Sequence, residues 1–212
     1  MMQVIAHRGY WLKPEEKNSE IAFARALQHG FGIETDFRDS NGKLVVSHDV
    51  PEYGAYSVDQ FVELCRQMPV DAPLAINVKS DGLYGLVKDL IKQSNISNCF
   101  VFDMSVPDML GYISFDIPVY TRLSEYEPTP TLLDKCKGVW LDAFEREWYD
   151  DRIINTLLEK NKSIAFVSPE LHKRPYISMW EFLIDRNLHQ NPKVSICTDI
   201  PLEAREFFYG KN

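Results

Sequence analysis

The sequence of 212 residues contains no apolar run long enough to cross a bilayer, which argues against stable membrane insertion. Its first residues lack the basic, apolar and small-residue order of a secretory signal, so a cytoplasmic location is expected. The four cysteines, Cys65, Cys99, Cys136 and Cys197, lie far apart. None has the close spacing of a structural zinc site, and buried thiols are expected. Positive charge is in deficit, with 23 Lys and Arg against 31 Asp and Glu and a net charge of −8. Such a field repels polyanions and disfavours nucleic acid as a partner. A small anion is not excluded, because a few cations and a metal ion can invert the field inside a cleft. Linkers, repeats and low-complexity tracts are also missing, so residues 1–212 are read as one domain.

Short apolar runs alternate with helical patterns along the whole chain. Eight read as strands: Val4 to Ala6, Gly32 to Phe37, Leu74 to Lys79, Cys99 to Met104, Pro118 to Leu123, Gly138 to Phe144, Ser163 to Ser168 and Val194 to Thr198. An extra strand, Leu44 to Ser47, follows the second. Between them, Ser57 and Gln60 form a capping box ahead of Phe61, Leu64, Cys65 and Met68. Helical stripes recur at Leu83, Leu86, Val87, Leu90 and Ile91, and at Ile153, Ile154, Leu157 and Leu158, all expected in the core. Asn18 to Gly30 reads as a further helix with its start and stop signals. Strands each followed by a helical segment fit either an open doubly wound sheet or a compact (β/α)8 barrel. The first usually carries a glycine-rich phosphate loop after its first strand. Here that place holds His7-Arg8-Gly9, and polar residues gather at the ends of most strands, as on the catalytic face of a TIM barrel.

Strand 1 ends on His7 and Arg8, and strand 2 carries Glu34 and Asp36. His48 and Asp49 follow the extra strand, while Asn77 and Lys79 close strand 3. Residues two apart on a strand face the same side, so Glu34 and Asp36 share a face, and so do Asn77 and Lys79. Two adjacent carboxylates in a half-dry mouth call for a cation, and hard oxygen ligands suit Mg2+ or Ca2+. Arg8 offers a planar fork and Lys79 a compact charge for phosphate oxygens. His7 and His48 can serve as an acid and base pair. Together these groups match what phosphodiester cleavage requires: cations on the phosphate oxygens and proton carriers on the attacking and leaving sides. Arg122 and Glu170, at later strand ends, are candidates for reading a polar head group.

These segments also resemble the glycerophosphodiester phosphodiesterase family. The likeness is carried by His7-Arg8-Gly9, Asn18-Ser19 opening a helix with Ala22-Phe23 and Ala26, Gly32-Ile33-Glu34-Thr35-Asp36, and Gly42 through His48-Asp49. It extends more weakly through Ile76-Asn77-Val78-Lys79 and Thr198-Asp199-Ile200-Pro201. The resemblance implies a barrel, a divalent ion held at Glu34 and Asp36, His7 and His48 as acid and base, and phosphate held by Arg8 and Lys79. Three departures stand out. Asn77 occupies the place of a third acidic metal ligand, the stretch from His48 to strand 3 is short, and the usual Glu-Asn-Thr reads Lys17-Asn18-Ser19.

Three readings stay open on the sequence alone. The first is a metal-dependent hydrolase of a small polar phosphodiester. The second is a barrel that binds phosphate esters with weak or no turnover, motivated by Asn77. The third is an aldolase using Lys79 as a Schiff-base nucleophile. A blander alternative for the acidic pair is ordinary ion pairing of Glu34 and Asp36 with Arg8 and Lys79.

Overall fold

The computed structural model describes residues 1–51, 55–66, 72–94 and 96–210. Two compact units emerge, one of Ala6–Val119 and one of Met1–Ile5 with Tyr120–Asn212. Strand β1 (Gln3–His7) leads in sequence from the second unit to the first.

In the unit Ala6–Val119, α1 (Glu20–Gln28) is capped by Ser19, whose hydroxyl accepts the Ala22 amide, and buries Ala22, Phe23 and Ala26. Strand β2 (Gly32–Ser40) turns through Asn41 and Gly42, both at positive φ, into β3 (Lys43–Val46). An Asn-Gly pair adopts that turn at little cost, and it fixes the antiparallel register of Ser40 on Lys43. The extra strand expected from sequence is β3. A two-residue strand, β4 (Tyr56–Ser57), pairs with it and runs into α2 (Val58–Cys65). Ser57 and Gln60 form the expected capping box there, and Phe61 and Cys65 are buried; Met68 lies outside the described residues.

Strand β5 (Leu74–Val78), α3 (Tyr84–Ser94), β6 (Cys99–Phe102) and α4 (Val106–Ser114) complete this unit. The strand order is β4-β3-β2-β5-β6, antiparallel up to β2 and parallel beyond it. On α3 the core stripe is narrower than the sequence suggests. Val87 and Leu90 are buried, whereas Leu86 points outward at 38 % exposure.

The other unit runs β7 (Tyr120–Leu123), β8 (Gly138–Leu141), α5 (Asp151–Glu159), β9 (Ser163–Val167), α6 (Ile177–Asp185), β10 (Val194–Thr198) and α7 (Pro201–Tyr209). Strands β7 to β10 are paired in parallel in chain order. The expectation of a helix after every strand fails between β7 and β8, where only a short 3-10 turn, Leu133–Lys135, forms. Pro128 and Pro130 account for this, since each removes an amide donor and holds its predecessor away from helical angles. Helix α5 buries Ile154 and Leu157, and α6 buries Trp180, whose indole N–H donates to Ser168 at 2.8 Å. All four cysteines are buried and unbridged. No helix among the described residues is long and apolar enough to cross a membrane.

Candidate active site

Residues His7, Arg8, Glu34, Asp36, Asn77 and Lys79 meet in the unit Ala6–Val119. Parallel pairing of β2 with β5 sets Asp36 directly beside Asn77, with Glu34 two residues earlier on the same face. Burial on this face is nearly complete, leaving Glu34 and Asp36 each 1 % exposed. The Arg8 backbone N–H donates to Glu34 Oε2 at 3.0 Å, and His7 Nε2 lies 3.9 Å from the same oxygen. Arg8 Nε approaches Asp36 Oδ2 at 3.2 Å, and Lys79 Nζ stands 3.4 Å from Asp36 Oδ1.

Local backbone geometry holds these groups. A turn closes from the Gly9 amide onto the Ala6 carbonyl, and Arg8 within it adopts φ +56, where L side chains are strained. Gly9 follows at φ +83, with its Cα pressed on α1. An added Cβ would stand 2.8 Å from the Ala22 carbonyl carbon. The Arg8 carbonyl accepts from the Asn18 amide, and the Trp11 indole donates to the His7 carbonyl at 3.1 Å. The strand end is therefore pinned on both sides of Arg8.

Burial, and next the charge of Asp36, push the Glu34 carboxyl well above its usual range, with Arg8 and Lys79 opposing. Two facing carboxylates in so dry a place repel each other, and a cation placed between them would relieve that repulsion. The ion pairs expected from a bland reading are present, but they do not satisfy the site. Asp36 Oδ1 and Asn77 Oδ1 are buried and receive no hydrogen bond. An acceptor left so costs about 1–3 kcal/mol. Among the described residues, no three His, Cys, Asp or Glu side chains gather as metal ligands. The third oxygen here is an amide. Glu34, Asp36 and Asn77 therefore fit a hard divalent cation through oxygen donors, two charged and one neutral. Lys79 Nζ is engaged by the Asp36 carboxylate at 3.4 Å, a contact that suits a phosphate-binding cation rather than a Schiff-base nucleophile.

The other expected residues have contacts of their own. His48 follows β3, whose end is fixed by the Ser47 amide donating to the Asp36 carbonyl at 3.0 Å. Its carbonyl accepts from Arg38, and its ring pairs with Asp49 at 3.0 Å. Arg122 and Glu170 belong to the other unit. Arg122 pairs with Glu127. Glu170 accepts from Ser168, Thr198 and the Asp199 amide, while burial raises its carboxyl above the usual value. His172 pairs there with Asp142 at 2.7 Å.

Two supporting residues were given no site role on the sequence. Asn18, at φ +57, donates to Asp36 Oδ2 at 2.8 Å and accepts from Thr35 at 3.0 Å. Asp103, at φ +68 just after β6, accepts from Asn77 Nδ2 at 3.0 Å and so turns the Asn77 oxygen away from itself. Asn18 was visible in the sequence as a helix start and as part of the motif that carries the resemblance, without a role assigned to its side chain. Asp103 carried no local signal, because its partner is 26 residues away.

No family model and no curated protein matches the chain. Solved structures do. The class they define is an α/β fold with a mostly parallel sheet, of the kind found in phosphodiesterase TIM barrels. In particular, the chain is similar to a Galdieria sulphuraria protein assigned as a glycerophosphodiester phosphodiesterase, with TM-score 0.73, 16 % identity and 98 % of each chain covered. It is similar to the glycerophosphodiester phosphodiesterase of Thermotoga maritima, with TM-score 0.66 and 17 % identity, covering 97 % of this chain and 98 % of that one. A Ca2+-dependent phosphatidylinositol-specific phospholipase C from Streptomyces antibioticus matches at TM-score 0.58 and 11 % identity, with 96 % of each chain covered. Likeness at these identities shows the fold, and one fold hosts many activities.

Proposed function

We propose that this protein is a metal-dependent phosphodiester hydrolase acting on a small polar phosphodiester of the glycerophosphodiester type. The observation that carries the reading is the buried set of Glu34, Asp36 and Asn77 beside Arg8 and Lys79, in which Asn77 Oδ1 receives no hydrogen bond and Asp36 Oδ1 has only the Lys79 ammonium, at 3.4 Å. Those three would hold Mg2+ or Ca2+, which when bound supplies Lewis-acid polarisation of the phosphate oxygens. The neighbour from Streptomyces antibioticus, described as Ca2+-dependent, supports the choice of a divalent ion.

The remaining chemistry belongs to the side chains. Arg8, fixed by its turn, presents its guanidinium to the phosphate, and Lys79 adds a second cation on the other side of Asp36. His7, beside Glu34, and His48, oriented by Asp49, carry protons to and from the attacking and leaving oxygens. Asn18 keeps Asp36 aimed, and Asp103 does the same for Asn77.

A second reading, a phosphate-ester-binding protein with little turnover, is favoured by one observation. Asn77 contributes a neutral oxygen where a carboxylate would hold the ion more strongly. Turnover of a glycerophosphodiester panel with Mg2+ or Ca2+ separates the two. Hydrolysis that disappears in His7→Ala and in His48→Ala supports the enzyme. Hydrolysis that survives both substitutions refutes the assigned mechanism, and binding without turnover at any metal concentration supports the second reading.

A further inference from the structure

Beyond Val46, the last residue of β3, the chain leaves the sheet. The β2–β3 ladder ends with Phe37 opposite Val46, and the Ser47 amide adds one more bond, to the Asp36 carbonyl at 3.0 Å. His48 lies one residue further on, outside that ladder. Asp49 pairs with its ring, but the carboxylate is 92 % exposed, and so exposed a pair restrains the ring weakly. The His48 main chain is held instead by a side chain of the strand opposite. Arg38 Nε donates to the His48 carbonyl at 3.1 Å. Arg38 follows Glu34 and Asp36 along β2 in steps of two, so the three side chains leave the same face of the strand. The His48 carbonyl is thus bonded from the face that carries the two buried carboxylates. Within the segment, the Ser47 hydroxyl donates to the Asp49 carbonyl at 2.8 Å and closes the turn.

We propose that Arg38 is a positioning residue: its hydrogen bond to the His48 carbonyl, and not its charge, sets the imidazole for proton transfer. This inference rests on the phosphodiesterase reading above, in which His48 carries a proton, and names the residue that aims it. A group that moves a proton has to stand within hydrogen-bond reach of its target. Misplacing such a group by about 1 Å costs on the order of 100-fold in rate. A histidine just past the end of a strand is open to such a shift, and a bond at its own carbonyl stops it close to the ring. Because that bond holds the main chain, its loss displaces the imidazole without removing a contact to the substrate.

Two substitutions separate the bond from the charge. Glutamine carries an N–H donor as many bonds from Cα as the arginine Nε and has no charge, whereas methionine has similar length and no N–H. Arg38 is half-buried and holds a loop end, so both variants are expected to fold. With glycerophosphoglycerol and Ca2+ or Mg2+, Arg38→Met should lower kcat by about 10- to 100-fold and leave KM nearly unchanged. Arg38→Gln should recover most of that loss. A raised KM with kcat unchanged, or Arg38→Gln as impaired as Arg38→Met, shows the guanidinium charge acting on the substrate itself and overturns the positioning role. A second readout needs no turnover. In protein labelled with 13C at histidine Cε1, the His48 resonance, assigned by its loss in His48→Ala, should coincide in the wild type and Arg38→Gln and move toward that of free imidazole in Arg38→Met. A resonance that stays put in Arg38→Met overturns the inference whatever the activity. A resonance that moves, in a protein whose wild type hydrolyses no diester, leaves Arg38 as the residue that fixes His48 and refutes the hydrolase alone.

Discussion

Replacing Asn77 with Asp adds one charge with almost no change of shape, and the structure predicts opposite effects with and without a divalent ion. Asn77 Nδ2 now donates to Asp103 Oδ2 at 3.0 Å. The aspartate loses that donor and sets two carboxylates against each other. A hydrogen bond to a charged group is worth about 1.5–3 kcal/mol. The new side chain also places a third carboxylate beside Glu34 and Asp36, in a position only 8 % exposed. Protonation will absorb part of that repulsion, so the net cost in chelator is taken as roughly 3 kcal/mol. In a chain of this length about 2–4 °C is lost per kcal/mol, giving a fall in Tm on the order of 10 °C. With an ion bound the sign reverses, because a charged ligand replaces a neutral one. Affinity should tighten by about tenfold or more, and the Tm gain on adding Ca2+ or Mg2+ should exceed that of the wild type. Thermal melts in chelator and across a metal titration, with calorimetry for Kd, read both effects. If Asn77→Asp is as stable as the wild type in chelator and its metal-dependent gain is no larger, the oxygens of this cluster do not converge on a cation.

Three further outcomes follow from single residues. Gly9→Ala places a Cβ 2.8 Å from the Ala22 carbonyl carbon at φ +83, so a loss of about 2–3 kcal/mol is expected in urea unfolding, together with weaker binding of inorganic phosphate as Arg8 shifts. Asp108 is buried, and desolvation holds its carboxyl above the usual range. The unfolded chain then ionises first as pH rises, so stability is lost between the unfolded and folded pKa values and stays lost above them. Asp108→Asn should therefore raise Tm at pH 8 relative to the wild type and bring a smaller gain at pH 4; equal differences at both would contradict the assignment. Trp11→Leu removes the donor to the His7 carbonyl, and turnover should fall more than stability, with KM changed less than kcat.

The apolar runs that form the strands were legible because burial on both faces writes itself into consecutive residues. The capping box at Ser57 and the helix start at Ser19 were legible for a similar reason, each being completed within a few positions. What could not be read locally were features decided by distant partners or by backbone angle. Leu86 keeps helical spacing with the core, yet its direction depends on where the neighbouring elements lie, and it faces outward. The helix missing after β7 was excluded by Pro128 and Pro130, which the regular alternation of strands and helical segments left out of account.

At the site, residue types and spacing pointed to His7, Arg8, Glu34, Asp36, Asn77 and Lys79 together, since period-two alternation fixes which side chains share a face. The left-handed turn at Arg8 had no such signature. Nor did the Asp103 carboxylate, whose bond to Asn77 depends on the register of β5 on β6. His48 stands apart from the others in a further respect, because its ring is paired with an exposed neighbour, Asp49.

The most direct measurement is a crystal grown with Mn2+ and glycerol 3-phosphate, with anomalous scattering locating the metal. The account predicts a single strong peak bonded to oxygens of Glu34, Asp36 and Asn77, with the phosphate contacting Arg8 and Lys79. A metal bound at other residues, or a phosphate held away from Arg8, contradicts it.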